Sequence, residues 1–259
     1  MRHLRRWMRG ATIARAHSTD RRILRPGSPA AFGRTLSGRR VISIDRRGKW
    51  LRIELDGEVL LFSHLGMTGE WIASDRKEPA QRSERARLDL RGRGRHAESV
   101  RYLDARRFGR LVVTHEEIPE WEELGPDPLD RHVTPSSLAE SVGRSRRPIK
   151  VVLMDQTILA GVGNILATEA LWRARIDPRS RSDALSRTEM GAILRGLRTV
   201  IRREIKELAA GDDPRFQIYG RAGEPCPRCK TTIRRIVLGG RSTTFCEGCQ
   251  VRAEIAKRD

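Results

Sequence analysis

The sequence predicts a multidomain α+β protein in which a strand-built part, a helical part and a small metal-binding segment follow one another. Three observations predict it. Strand-like alternation dominates roughly the first 115 residues, and from residue 135 the apolar period becomes helical. All four cysteines then fall near the C-terminus, as Cys226-x2-Cys229-x16-Cys246-x2-Cys249.

In the first part, Leu51, Ile53 and Leu55 alternate with Arg52 and Glu54, and Asp56-Gly57 turns the chain into Val59-Leu60-Leu61-Phe62. Asp-Gly accepts the positive φ of a tight turn, so the pattern reads as a hairpin. A second pair runs from Arg87–Leu90 through Gly92 and Gly94 to Val100–Leu103. The acidic, proline-containing stretch Glu116 to Pro128 reads as a linker. The expected division is therefore 1–115, a linker at 116–130, a helical domain at 131–212 and a finger at 216–250.

In the helical part, Ser186-x-x-Glu189 is a capping box. Behind it Met190, Ile193, Leu194, Leu197, Val200, Ile201 and Ile205 form one amphipathic stripe. Ile149 to Gln156 predicts a short helix, the run Thr157–Gly163 breaks it, and a new helix begins at Asn164, burying Leu166, Ala167, Ala170, Leu171 and Ala174. Two helices joined by a glycine-bearing turn can present backbone N–H groups to a phosphate. Gly161-x-Gly163 alone is a weak signal, and without a preceding strand and third glycine it is no dinucleotide fingerprint.

Two CxxC pairs on a short arm supply four thiolates able to converge on one Zn²⁺. Gly239-Gly240 near the middle of the arm, with Arg241 just beyond, predicts a β-hairpin. Two disulfides in a secreted domain are the alternative, disfavoured because the preceding 225 residues hold no cysteine and no secretory signal opens the chain.

Composition narrows the partner. No apolar run reaches the ~20 residues that span a bilayer, and there is neither a lipidation signal nor a basic amphipathic anchor. A formal charge of +19 and a pI near 11.2 point to a polyanion, and nucleic acid fits best. Only six of the 52 basic residues are lysine, so Lys49 and Lys150 stand out against the arginine background.

Taken in order, the motifs are more specific than any one of them. They are Arg47-Gly48-Lys49, His64-Leu-Gly-Met67-Thr-Gly69, Asp104-x-Arg106-Arg107-Phe108-Gly109 and Leu124-Gly-Pro-Asp-Pro-Leu129. Ile149-Lys150-x-x-Leu-Met-Asp155-Gln156, Gly161-Val-Gly-Asn164, Tyr219-Gly-Arg-x-Gly-Glu-Pro-Cys226 and Arg241 before the last CxxC follow. From about residue 2 to Gln250 the chain resembles the formamidopyrimidine-DNA glycosylases, which are related to endonuclease VIII. The resemblance implies a β-sandwich, a helix–two-turn–helix domain and a zinc finger, with duplex DNA as partner and one structural zinc as cofactor. It implies excision of 8-oxoguanine and formamidopyrimidines followed by β,δ-elimination, by a monomer in the bacterial cytoplasm. Such chemistry requires the damaged nucleotide to leave the stack.

Roles then carry over residue by residue. Lys49 is similar to the lysine that contacts the lesion phosphate and gives a proton in β-elimination, and Arg241 to the arginine assigned to δ-elimination. Met67, Arg106 and Phe108 resemble the trio that fills the gap left by the extruded base. Arg107, Arg146, Lys150 and Asn164 are implied phosphate anchors. Arg87, where the family often has a DNA-contacting histidine, is a further one. Cys226, Cys229, Cys246 and Cys249 are the implied zinc ligands, and four thiolates leave the metal no open site for catalysis.

The departure lies at the front. In the family an N-terminal proline followed by glutamate supplies the attacking amine and an acid/base. A terminal amine near ~7.7–8.0 is largely free base at neutral pH, unlike a lysine near ~10.4. This sequence opens Met1-Arg2-His3 instead. The expectation is a start placed about eight residues late; the rivals are a DNA-binding module without its nucleophile and an endonuclease VIII-like enzyme for oxidised pyrimidines.

Overall fold

The computed structural model describes residues 2–92, 97–143 and 145–253. The chain forms two compact units, Met1–Glu122 and Glu123–Asp259.

In the first unit, helix α1 (Arg2–Met8) leads into β1 (Thr12–Ser18), α2 (Pro29–Leu36), β2 (Val41–Arg47), β3 (Trp50–Leu55) and β4 (Val59–His64). Then come β5 (Glu70–Ser74), β6 (Glu84–Arg91), β7 (Ser99–Leu103), β8 (Arg110–Thr114) and the single turn α3 (Pro119–Glu122). The strands make two four-stranded sheets, ordered β1-β6-β7-β5 and β2-β3-β4-β8. All their pairings are antiparallel. One core joins them: Ile13, Leu88 and Val100 from the first sheet pack with Ile44, Ile53 and Leu61 from the second, closed by Leu4 and Met8 of α1. Burying each such side chain contributes roughly 1.5–3 kcal/mol, so both hairpins form in the register that turns these residues inward.

The hairpins expected from sequence are present. β3 pairs β4 from Trp50↔His64 to Leu55↔Val59, with Gly57 at φ 68° and Glu58 at φ 59° in the turn. β6 pairs β7; Gly94, placed in that turn, lies outside the described residues. Alternation is lost in β4 because its second face is also covered. The Phe62 ring lies 5.7 Å from Trp121 of α3 and 6.5 Å from Trp50.

In the second unit, α4 (Pro135–Val142), α5 (Ile149–Leu153), α6 (Asn164–Ala174) and α7 (Arg187–Ala210) precede the hairpin β9 (Arg234–Leu238) and β10 (Arg241–Phe245). α7 starts with the expected capping box, Ser186 accepting from the Glu189 N–H. Its stripe is buried from Met190 to Val200, but Ile205 is exposed, because in the last turns the covered face of α7 carries Arg203, Glu204 and Glu207 instead. α5 stops at Leu153, short of the expected Gln156, since the Gln156 amide instead clamps the turn. It donates to the carbonyls of Met154 and Val162 and accepts the Gly161 N–H.

The finger is fastened to α6 and the segment after it. Trp172 and Ile218 share a small core with Ile233 and three of the cysteines. Gln250 donates to the Ile176 carbonyl at 2.8 Å, and Arg228 lies 4.2 Å over the Trp172 ring. The buried Glu169 carboxylate accepts the backbone N–H groups of Gln217, Ile218 and Tyr219 at 2.8–3.0 Å. Three such bonds satisfy a charge that would otherwise be costly to bury.

Candidate nucleic-acid interface and zinc centre

In the first unit the candidate residues sit on three turns at the strand ends. Lys49 occupies the β2–β3 turn after Gly48, whose φ of 57° reverses the chain, and its side chain is exposed. It borders a pocket of about 310 Å³ that is also lined by His3, Trp7, Glu70 and Trp71. His64 at the end of β4 lies close enough to Lys49 and Arg110 for burial, aided by both cations, to lower its pKa. Its Nδ1 accepts the Gly66 N–H at 3.0 Å, which puts the imidazole proton on Nε2 and makes His64 a neutral donor. His64 belongs to a motif but received no role from sequence; its tautomer and its proximity to Lys49 are tertiary facts.

Met67 and Phe108 are respectively 64% and 54% exposed, unusual for large apolar side chains. The Arg106 guanidinium stands 4.7 Å over the Phe108 ring. Arg107 takes a left-handed φ of 57°, which swings it away from these two to pair with Asp20. Burial works to raise the Asp20 pKa, but the Arg22 backbone N–H and Arg107 outweigh it and hold it below the usual range. The structure thus brings Met67, Arg106 and Phe108 to neighbouring loop tips. Arg87 is placed differently. Its guanidinium donates to Ser99 and to the carbonyls of Arg76 and Glu78, so it braces the loop before β6.

In the second unit the two-helix motif and the finger converge. Lys150 is fully buried, and its ammonium donates to Asn164 Oδ1 at 2.5 Å. Asn164 in turn donates through Nδ2 to the Ser242 carbonyl at 2.9 Å, next to Arg241. Burial, with help from the Arg241 charge, lowers the Lys150 pKa to about 8. The hairpin turn Gly239-Gly240 has φ of 56° and 70°, the left-handed pair that a two-residue turn requires. A side chain on Gly239 would put its Cβ 2.9 Å from Val151, so this turn rests directly on α5. Arg241 is exposed beside Lys150, and Arg146 is exposed ahead of α5.

The four cysteine ligand atoms lie within 4.8 Å of one another, with Cys226–Cys249 at 3.7 Å and Cys229–Cys246 at 3.4 Å. Tetrahedral zinc ligation at about 2.3 Å requires sulfurs about 3.8 Å apart, so the donor set fits Zn²⁺. Hydrogen bonding from Thr231 and neighbouring thiols pulls the metal-free Cys229 thiol down to about 6, whereas burial raises Cys246 and Cys249. A bound dication makes thiolates of all four and removes that inequality.

Known proteins match this arrangement part by part. Residues 1–111 match the formamidopyrimidine-DNA glycosylase N-terminal domain, 124–212 its H2TH domain and 223–251 the zinc finger found in FPG and IleRS. The formamidopyrimidine-DNA glycosylase of Chloroflexus aurantiacus is 36% identical, over 94% of this chain and 92% of its own length.

The chain belongs to the formamidopyrimidine-DNA glycosylase family.

Another glycosylase of the family, from Thermus thermophilus, is 37% identical over 90% of this chain and 96% of its own length. The crystal structure of MutM (Fpg) from Thermus thermophilus superposes with a TM-score of 0.80 at 35% identity, covering 98% of this chain and 96% of that one. Lactococcus lactis Fpg in complex with DNA containing an abasic site gives a TM-score of 0.85 at 28% identity, covering 97% and 96%. The β-sandwich, the helix–two-turn–helix domain and the zinc-finger hairpin are therefore those of a glycosylase fold.

Proposed function

We infer that this protein is a DNA glycosylase and abasic-site lyase that excises oxidised purines from duplex DNA. Membership of the family supports the reading, and its relatives include structures bound to abasic-site and FAPY-dG DNA. The observation that carries it is the exposed trio Met67, Arg106 and Phe108 on adjacent loop tips. Apolar and guanidinium groups presented to water without cover suit insertion into a base stack, where they offset part of an unstacking cost of roughly a few kcal/mol.

Each residue then has a task. Lys49 binds the lesion phosphate and passes a proton during β-elimination, with the His64 Nε2–H as a neutral donor beside it. Lys150, Arg146 and Asn164 anchor phosphates, Arg107 a backbone contact outside the gap, and Arg87 reaches a phosphate only by sharing donors that now brace its own loop. Arg241 binds the 3′ phosphate and stabilises the anionic leaving group of δ-elimination. Cys226, Cys229, Cys246 and Cys249 would hold the zinc, which supplies rigidity beneath Arg241. In the family an N-terminal proline next to a glutamate supplies the attacking amine, and the reaction proposed here requires that amine. The protein is proposed to act as a monomer on chromosomal DNA in the bacterial cytoplasm, divided into sandwich, linker, helical domain and finger at 1–115, 116–130, 131–212 and 216–250. Among the described residues no helix is long and apolar enough to cross a membrane.

The test is borohydride trapping on duplexes carrying 8-oxoguanine or thymine glycol, with the 259-residue chain and with the chain extended by a family-length N-terminal segment that begins Pro-Glu. The extended form is expected to trap the 8-oxoguanine duplex at least tenfold faster than the other duplex and the other chain. Preference for thymine glycol would overturn the substrate assignment, and equal trapping by the unextended chain would overturn the proline mechanism.

A further inference from the structure

We propose that Asp104 and Thr68 lock the loop carrying Met67 to the loop carrying Arg106 and Phe108, so that the three side chains enter a base gap as one preassembled wedge. The proposal rests on the gap-filling role given to that trio.

Asp104, fully buried just beyond β7, takes donors from both loops. Its Oδ1 accepts the Thr68 hydroxyl at 2.7 Å and the Arg106 N–H at 3.2 Å, and its Oδ2 accepts the Gly109 N–H at 2.7 Å. The Thr68 hydroxyl oxygen also accepts the Arg106 N–H at 3.3 Å, so one side chain next to Met67 touches both the carboxylate and the opposite loop. A buried carboxylate persists only when its lone pairs are satisfied. Its own loop supplies the Arg106 and Gly109 N–H groups and the Met67 loop supplies the Thr68 hydroxyl, so separating the loops would cost Oδ1 its shortest bond.

Steric contact adds to this. A Cβ on Gly66 would fall 2.5 Å from the Phe108 carbonyl carbon, and one on Gly109 would fall 1.7 Å from Tyr102 Oη. Tyr102 donates its hydroxyl proton to the His64 carbonyl at 3.1 Å, at the root of the Met67 loop. Glycine at 66 therefore lets the loops meet backbone to backbone, and glycine at 109 leaves room for the Tyr102 hydroxyl that holds the root of the Met67 loop. The tips themselves have few partners, with Met67 64% and Phe108 54% exposed, so their relative position is set from below. Fixing it before binding removes an ordering cost that insertion would otherwise carry.

The experiment measures binding of the full, zinc-loaded chain to a duplex with a tetrahydrofuran abasic analogue and to an undamaged duplex. Met67→Ala, Phe108→Ala and their double variant are compared in four backgrounds. With native Thr68, each single change is expected to weaken abasic binding about tenfold and the double change by about the same factor, because the wedge acts as a unit. In Thr68→Val the wedge is unlinked: abasic binding falls about fivefold, undamaged binding moves less than twofold, and the two alanine effects multiply. Thr68→Ser, which keeps the hydroxyl, restores the native pattern. Asp104→Asn, checked by thermal melting, is a second unlinking variant in which the effects also multiply. Multiplying effects with native Thr68, or unchanged coupling in Thr68→Val, would refute the lock alone. Full abasic affinity in both alanine variants would instead remove the gap-filling role, and the proposal with it.

Discussion

As a proposed phosphate anchor, Lys150 is expected to make DNA affinity depend on pH in a way that can be worked out from the structure. Its ammonium is fully buried against Asn164, and burial together with Arg241 lowers its pKa to about 8. A phosphate docked there, as proposed, would supply the missing negative charge and return the lysine to its protonated form. Binding above pH 8 must therefore take up a proton. With the complex titrating above 9, affinity falls by about tenfold, or about 1.4 kcal/mol, between pH 7 and pH 9. The assay is fluorescence anisotropy with the abasic duplex at both pH values and constant ionic strength, since salt alone shifts such affinities. Lys150→Gln is expected to bind weakly with a flat profile, and Lys150→Arg to bind with a flat profile because a guanidinium does not titrate there. Other groups that titrate in this range are common to all three proteins, so the difference isolates Lys150. A wild-type change below twofold, or an equal slope in Lys150→Gln, would refute the reasoning. The same lowering from 10.5 to about 8 acts on stability. An unfolded lysine keeps its proton across that window while the folded one has lost it, so the free protein gains up to about 3 kcal/mol as pH rises through it.

Zinc removal by a chelator leaves a finger whose own core is too small to persist. Abasic-duplex binding is expected to fall at least tenfold and return with added zinc, while the helical circular dichroism of α4 to α7 stays within about a tenth of its value. Glu169→Ala strands the backbone N–H groups of Gln217, Ile218 and Tyr219. Urea unfolding should report a loss of about 3 kcal/mol, and limited proteolysis should open the chain first near those residues.

Among the parts of the site, those made by short-range chemistry were the ones legible in the sequence. The Asp56-Gly57 and Gly239-Gly240 turns, the Ser186–Glu189 capping box and the two CxxC pairs each act within a few residues, so spacing alone announced them. The eight ordered motifs pointed to the family, and the family matches agree. The environment of each side chain was not legible. Arg87 has the same sequence whether it reaches outward or, as here, braces the carbonyls of Arg76 and Glu78. Ile205 continues the apolar stripe, yet it is exposed because the covered face there carries Arg203, Glu204 and Glu207.

The sequence by itself therefore determined the element types, the metal ligands and the chemical class of the partner, because turn geometry, capping, thiolate spacing and net charge are local or additive properties. Only the tertiary structure decided that Asn164 joins Lys150 to the Arg241 hairpin, that His64 is neutral beside Lys49, and that Asp104 gathers the two exposed loops. The physical reason is the same in each case. Hydrogen-bond satisfaction, desolvation and the charge felt by a group are set by neighbours in space, and those neighbours lie far away along the chain.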